Sequence, residues 1–239
     1  MMDEATQHHI SQQFNLELRE LSNQVLGMGG LVEEQLGNAL LALTTQDGQL
    51  AEHVYTNDYR INTLEVAIDE DCTRILARRQ PTASDLRLVM AVIKIITDLE
   101  RIGDEAERIA RMSVHRSYED MKSKYYTVVG HLGNHVREML HNTLDAFARM
   151  DIDAALKIIH DDLRVDSEYE NISRQLITYM MEDPRTIPMS LNILWSARAL
   201  ERIAAHSRNI CEYIIYFVKG KDVRHISLEK LEQHAKAQR

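Results

Sequence analysis

The sequence predicts an all-α protein, on three observations. Glycine (9) and proline (3) are scarce among 239 residues, which disfavours a turn-rich β architecture. Aromatics make up only 5% while Leu, Ile, Ala, Glu, Arg and Met abound, so strong helix formers dominate. Apolar residues also recur at alternating steps of four and three, the seam of helices packed on helices. An apolar content of 44% supplies a core, and the length fits one large domain or two of about 120 residues.

The first helix carries Phe14, Leu18, Leu21, Val25, Met28 and Val32 at seam spacing, and Gln46-Asp47-Gly48 supplies turn chemistry to end it. The doublet Gly29-Gly30 lies inside this seam and reads as close helix packing or a bend. A second helix is expected from about Leu50 to Arg79, where Pro81 stops it and Thr82 or Ser84 can cap the next. The third carries Val89, Val92, Ile96, Leu99, Gly103, Ala106 and Ala110 in its seam.

The chain then repeats itself. Asp47 and Asp151 follow similar helices at an offset of 104; Arg60-Ile61-Asn62 matches Arg164-Val165-Asp166 and Thr82 matches Thr186. Beyond that the offset becomes 101, aligning E-R-I-G-D-E-A-E-R-I-A from Glu100 with E-R-I-A-A-H-S-R-N-I-C from Glu201. So long a period excludes a solenoid and fits a duplicated domain. The fifth helix is read along Leu156, Ile159, Leu163, Asp166, Glu170, Ser173, Ile177 and Met180. The sixth follows Pro184 and Pro188, with Ile193, Ala197, Leu200, Ala204, Ser207, Cys211 and Ile214 in its seam. The polar segment from Arg116 to Lys124 sets the boundary, giving bundles over 1–118 and 119–225 and a charged tail over 226–239.

A net charge of −9 argues against nucleic acid, whose partners present basic faces. Cys72 and Cys211 are the only cysteines and have no metal-type spacing, so we expect reduced thiols in a reducing compartment. The start M-M-D-E-A-T-Q-H-H lacks the order of a signal peptide, and V-M-A-V-I-K-I-I, broken by Lys94, is the nearest approach to a spanning segment. A cytosolic protein is expected, without direct membrane insertion. Motifs for phosphate loops, dinucleotide binding and a nucleophile elbow are absent.

The residues that invite a function are acids on or beside the seams. Glu65 and Asp69 stand one turn apart in the second helix, Glu100 and Asp104 in the third. Like charges so spaced cost a few tenths of a kcal/mol (~0.2–0.5) even when exposed, and burial adds to the penalty. Where these faces meet, a cation is required. A hard metal ion (Mg²⁺, Mn²⁺ or iron) accepts all-oxygen ligands; the alternative, which spacing alone favours, is a solvated face paired with Arg101, Arg108 or Arg111. His131 and His135, one turn apart, could clip a metal or simply lie on the surface.

Q-P-T-A-S-D-L-R-L-V, D-L-E-R-I-G-D, L-D-A-F-A-R-M-D, Y-M-M-E-D-P-R-T-I-P and R-N-I-C-E-Y-I-I-Y-F-V-K-G together resemble the PhoU family over about residues 10–225. The resemblance implies two tandem three-helix bundles of six long helices, related by a pseudo-twofold axis. It implies a non-enzymatic cytoplasmic regulator, peripheral to the inner membrane through its partners. Those partners are the phosphate ABC transporter with its ATPase subunit and a phosphate-sensing histidine kinase, and the starvation response is held off in high phosphate. A homo-oligomer is expected, with a dimer favoured. Metal ions bound at E-x-x-x-D motifs are implied at Glu65, Asp69, Glu100 and Asp104. In the second copy Asp162, Asp166 and Glu201 remain, but Ala205 stands where the fourth acid should be. The alternative is a carboxylate-bridged metal enzyme or metal-storage bundle; such sites need two E-x-x-H motifs, and the chain offers Glu138-x-x-His141 alone.

Overall fold

A computed structural model describes residues 4–113, 124–224 and 226–236. Among them are eight α-helices and one 3-10 turn, with no strand. The first bundle comprises α1 (Glu4–Thr45), α2 (Gly48–Asn57), α3 (Tyr59–Arg79) and α4 (Ala83–Ser113). The second comprises α5 (Lys124–Arg149), α6 (Ile152–Glu182) and α7 (Ile187–Lys219), and α8 (Leu228–Lys236) follows. The expected boundary segment lies outside the described residues apart from Lys124, where α5 begins. Among the described residues, no helix is long and apolar enough to cross a membrane.

The seams of α1, α4 and α7 are buried as their spacing requires, from Leu18 to Val32, Val89 to Ala110 and Ile193 to Ile214. Two corresponding turns begin the middle helices. Gln46 and Met150 adopt left-handed backbone (φ 55 and 50), ending α1 and α5. The Asp47 carboxylate then accepts from the Gln49 and Leu50 amides, and that of Asp151 from Ala154. Each satisfies donors that would otherwise be orphaned at a helix start.

The middle helix of the first bundle, expected as one piece, is interrupted at Asp58. Thr56 and Asn57 bond back to the carbonyls of Glu52 and His53, competing with the helical ladder, and Asp58 is left with a buried side chain at the joint. The fifth-helix seam is also corrected. Leu163, Asp166, Glu170 and Ile177 are exposed; the buried line of α6 runs through Ile158, Asp162, Val165, Ile172 and Leu176. Both lines share the apolar start of the helix, and they part where an acid occupies a core position. The charged segment expected over 226–239 carries α8, which buries Leu231, and its Glu232 meets His160 of α6 at 2.8 Å.

The bundles join through α4 with α7 and α1 with α5. A methyl group at Gly29 would collide with the Leu144 side chain, and one at Gly133 with that of Leu40. Residues 29 and 133, and 40 and 144, are equivalents at the repeat offset, so the contact is reciprocal and α1 and α5 run antiparallel about an internal twofold. Gly29 is therefore a close-packing residue. Across α4 and α7 the contacts are charged and asymmetric. His206 Nδ1 lies 2.6 Å from Asp98 Oδ1, and Arg202 Nε 3.0 Å from Glu105 Oε1, with both acids buried.

Candidate metal centre

Of the expected acids of the first bundle, Asp104 meets two that the spacing did not indicate, Asp58 and Glu107, and Glu100 and Glu65 lie near enough for their charges to act on one another. Carboxylate oxygens of Asp58, Asp104 and Glu107 all lie within 4.8 Å of one another. Asp58 reaches α4 because Gly103 leaves room: a methyl there would come 3.0 Å from Ile61 and 3.5 Å from Asp58 Oδ1. The Gln35 amide of α1 bridges them, donating to Asp58 Oδ1 at 2.7 Å and to the Gly103 carbonyl at 3.1 Å. Asn62 donates to the other Asp58 oxygen at 3.2 Å. These amides fix the carboxylate but bring no positive charge.

Glu100 and Asp104 register the crowding. Burial first, then the charges of Asp104, Glu65 and Asp58, pushes the Glu100 carboxyl above its ordinary value. Burial, then Asp58 and Glu107, does the same to Asp104, against a smaller pull from Arg108. Glu65 is half-buried, with the Thr97 hydroxyl 3.4 Å away. Asp69 is exposed, and its charge, together with that of Asp71, acts on the Cys72 thiol, which burial chiefly raises to about 12. The arginines face outward: Arg111 pairs with Glu107 and Arg108 with Glu105.

The donor set suits a hard cation. Oxygens bound to one ion at about 2.1–2.5 Å stand at most ~5 Å apart, and three oxygens within 4.8 Å meet that limit. The second copy is differently made. Asp162 is buried and Glu201 half-buried, but Asp166 is exposed. Burial raises Asp162, and the hydrogen bond from Arg208 opposes it; burial likewise raises Glu201, opposed by Arg198.

Neither histidine motif forms a centre. His135 bonds Asp161 at 2.8 Å and Glu168 at 3.1 Å on α6, while His131 is exposed. Glu138 and His141 face solvent, His141 meeting Glu33 at 3.1 Å, so this E-x-x-H does not project into a core.

The PhoU domain model matches twice, over residues 25–113 and 129–214. The chain is 54% identical to the phosphate-specific transport system accessory protein PhoU of Serratia marcescens over 94% of its length and 92% of that protein. Its identity to the protein of the same name from Escherichia coli K12 is 52%, over 94% of this chain and 93% of that one. The crystal structure of PhoU from Pseudomonas aeruginosa superposes with a TM-score of 0.84 at 50% identity, covering 87% of this chain and all of that one. The phosphate transport system regulatory protein PhoU from Streptococcus pneumoniae gives 0.82 at 34% identity, over 88% and 99%. With both halves matched and relatives this similar along almost the whole chain, the protein belongs to the PhoU family.

Proposed function

We propose that the chain is a cytoplasmic regulatory adaptor of phosphate homeostasis. On this reading it couples the phosphate ABC transporter, through the ATPase subunit, to the phosphate-sensing histidine kinase. It represses the starvation response while phosphate is plentiful and modulates uptake. It reaches the inner membrane only through these partners and works as a homo-oligomer, a dimer being favoured. The observation that carries the reading is the name shared by relatives that are 54% and 52% identical over 94% of the chain: phosphate-specific transport system accessory protein. Deleting the gene should derepress phosphate-scavenging genes in high phosphate, and restoring it should silence them. A reporter that stays silent in the deletion strain overturns the proposal.

The same reading gives the first bundle a metal centre for Mg²⁺, Mn²⁺ or iron. Asp58, Asp104 and Glu107 would hold the ion, Glu100 and Glu65 would line the groove, and Asp69 would lie at its edge. The ion supplies positive charge where like charges crowd together; no reaction is asked of it. A cation at one hundred times its Kd stabilises the folded state by about 2.7 kcal/mol, a rise of roughly 5–10 °C in Tm for a chain of this size.

A further inference from the structure

The two copies of the carboxylate site differ at several positions, and the differences at the acids themselves remove carboxylates or set arginine beside those that remain. In the alignment fixed by the repeat, Asp58 corresponds to Asp162 and Glu100 to Glu201, and these acids are kept. Glu65 becomes Tyr169, Asp104 becomes Ala205, Thr97 becomes Arg198 and Glu107 becomes Arg208. Changes in the opposite sense are Asn62 to Asp166, on an exposed residue, Arg108 to Asn209 and Arg111 to Glu212.

The geometry shows what the new residues do. Arg208 Nη1 lies 3.2 Å from Asp162 Oδ2, and its Nε donates to Glu212 Oε1 at 3.3 Å. Asp162 is only 4% exposed, so its partner is a structural necessity rather than a surface accident. In the first bundle the equivalent pair, Glu107 and Arg111, has the reverse polarity and leaves the acid at the cluster. Reversing it sets a guanidinium against the buried acid. Arg198 Nη1 lies 3.1 Å from Glu201 Oε2, close enough for ion pairing without hydrogen-bond alignment. Its guanidinium sits 5.6 Å from the Tyr169 ring centroid.

We infer that the second bundle carries its own cation: Arg208, seconded by Arg198, takes the electrostatic place that a metal ion takes in the first, so that the chain binds metal in its first bundle only. The one-sided binding rests on the reading of the first site as a metal centre; the role of Arg208 does not. A guanidinium stays charged at any physiological pH and cannot dissociate from the chain. The second site thus carries a fixed positive charge of its own, indifferent to metal supply.

The test uses the full-length chain with Mn²⁺ as probe, following free Mn²⁺ by electron paramagnetic resonance and Tm by circular dichroism. Wild type should bind tightly and gain Tm; Asp104→Ala/Glu107→Ala should lose both responses. Residual tight binding in that variant, removed by a further Asp162→Ala/Glu201→Ala, would overturn the inference while leaving the first site intact. In chelator, Arg208→Gln should lower Tm and Arg208→Lys should restore most of it. Ala205→Asp/Arg208→Gln should acquire a Mn²⁺ site with a Tm gain like that of the wild-type first bundle. A folded double variant that acquires none, or an Arg208→Gln Tm unchanged in chelator, refutes the role of Arg208. If wild type binds no Mn²⁺ but the double variant does, the first-site reading fails and the role of Arg208 stands.

Discussion

Replacing His206 by alanine should loosen the joint between the bundles. His206 is 8% exposed and Asp98 4%, and their 2.6 Å contact places the imidazole proton on Nδ1, donated to the carboxylate. Hydrogen bonds to charged groups contribute about 1.5–3 kcal/mol. Asn209 Nδ2 still donates to the same Asp98 oxygen at 3.2 Å after the change, and the Tyr213 side chain also bonds Asp98, so the acid keeps two partners. We therefore place the cost at about 2–3 kcal/mol, below the ~3–5 found when a buried pair is broken outright. At roughly 2–4 °C per kcal/mol for a chain of this length, Tm should fall by about 5–10 °C. Asp98→Asn, which keeps an oxygen to accept from His206, should cost much less. The His206→Ala/Asp98→Asn double variant should be less destabilised than the sum of the single changes by about 1 kcal/mol, the signature of direct contact. Urea unfolding of the four proteins measures this. Additive changes, or a loss below about 0.5 kcal/mol for His206→Ala, would refute the reasoning.

The reciprocal packing of α1 on α5 predicts equal effects from Gly29→Ala and Gly133→Ala, with crossed rescue. Leu144→Ala should offset the first and Leu40→Ala the second, while the reverse combinations add; denaturation midpoints decide it. Arg79 holds the Glu17 carboxyl below its ordinary value, through a hydrogen bond more than through charge alone. A depressed folded-state pKa stabilises above the unfolded value and loses that contribution as pH falls through the folded one. Glu17→Gln should thus be less stable than wild type at neutral pH, and the gap should close below about pH 4.5, the ordinary glutamate value. A gap constant down to pH 3 would refute it.

Much of this was legible in the sequence because seams of small and apolar residues admit one register. Val89 through Ala110 could face only a core, which placed Glu100 and Asp104 at its margin. Asp58 was hidden because no glycine or proline marks the break between α2 and α3; the interruption comes from side chains competing for backbone carbonyls. Its repeat equivalent, Asp162, occupies a core position of α6, whereas the expected seam ran through Leu163 and Asp166, so the two lines part after Ile159. Glu107 was obscured by Arg108 and Arg111, whose spacing suggested neutralisation. Only the packed structure shows Arg108 spent on Glu105, and Arg111 reaching Glu107 alone among the cluster's acids.

The reciprocal insertion of Leu144 at Gly29 and Leu40 at Gly133 makes the contact of α1 with α5 isologous, one patch meeting itself. A chain half as long could assemble with its twin through the same helices. In such a homodimer every mutation is written twice, so a change of glutamate to arginine would invert both carboxylate sites together. Covalent fusion lifts that constraint, since each half then mutates alone. One site can keep its acids while the other acquires a guanidinium, and a molecule descended from symmetry gains two chemically distinct ends. A partner that touches both can tell which way round it is bound.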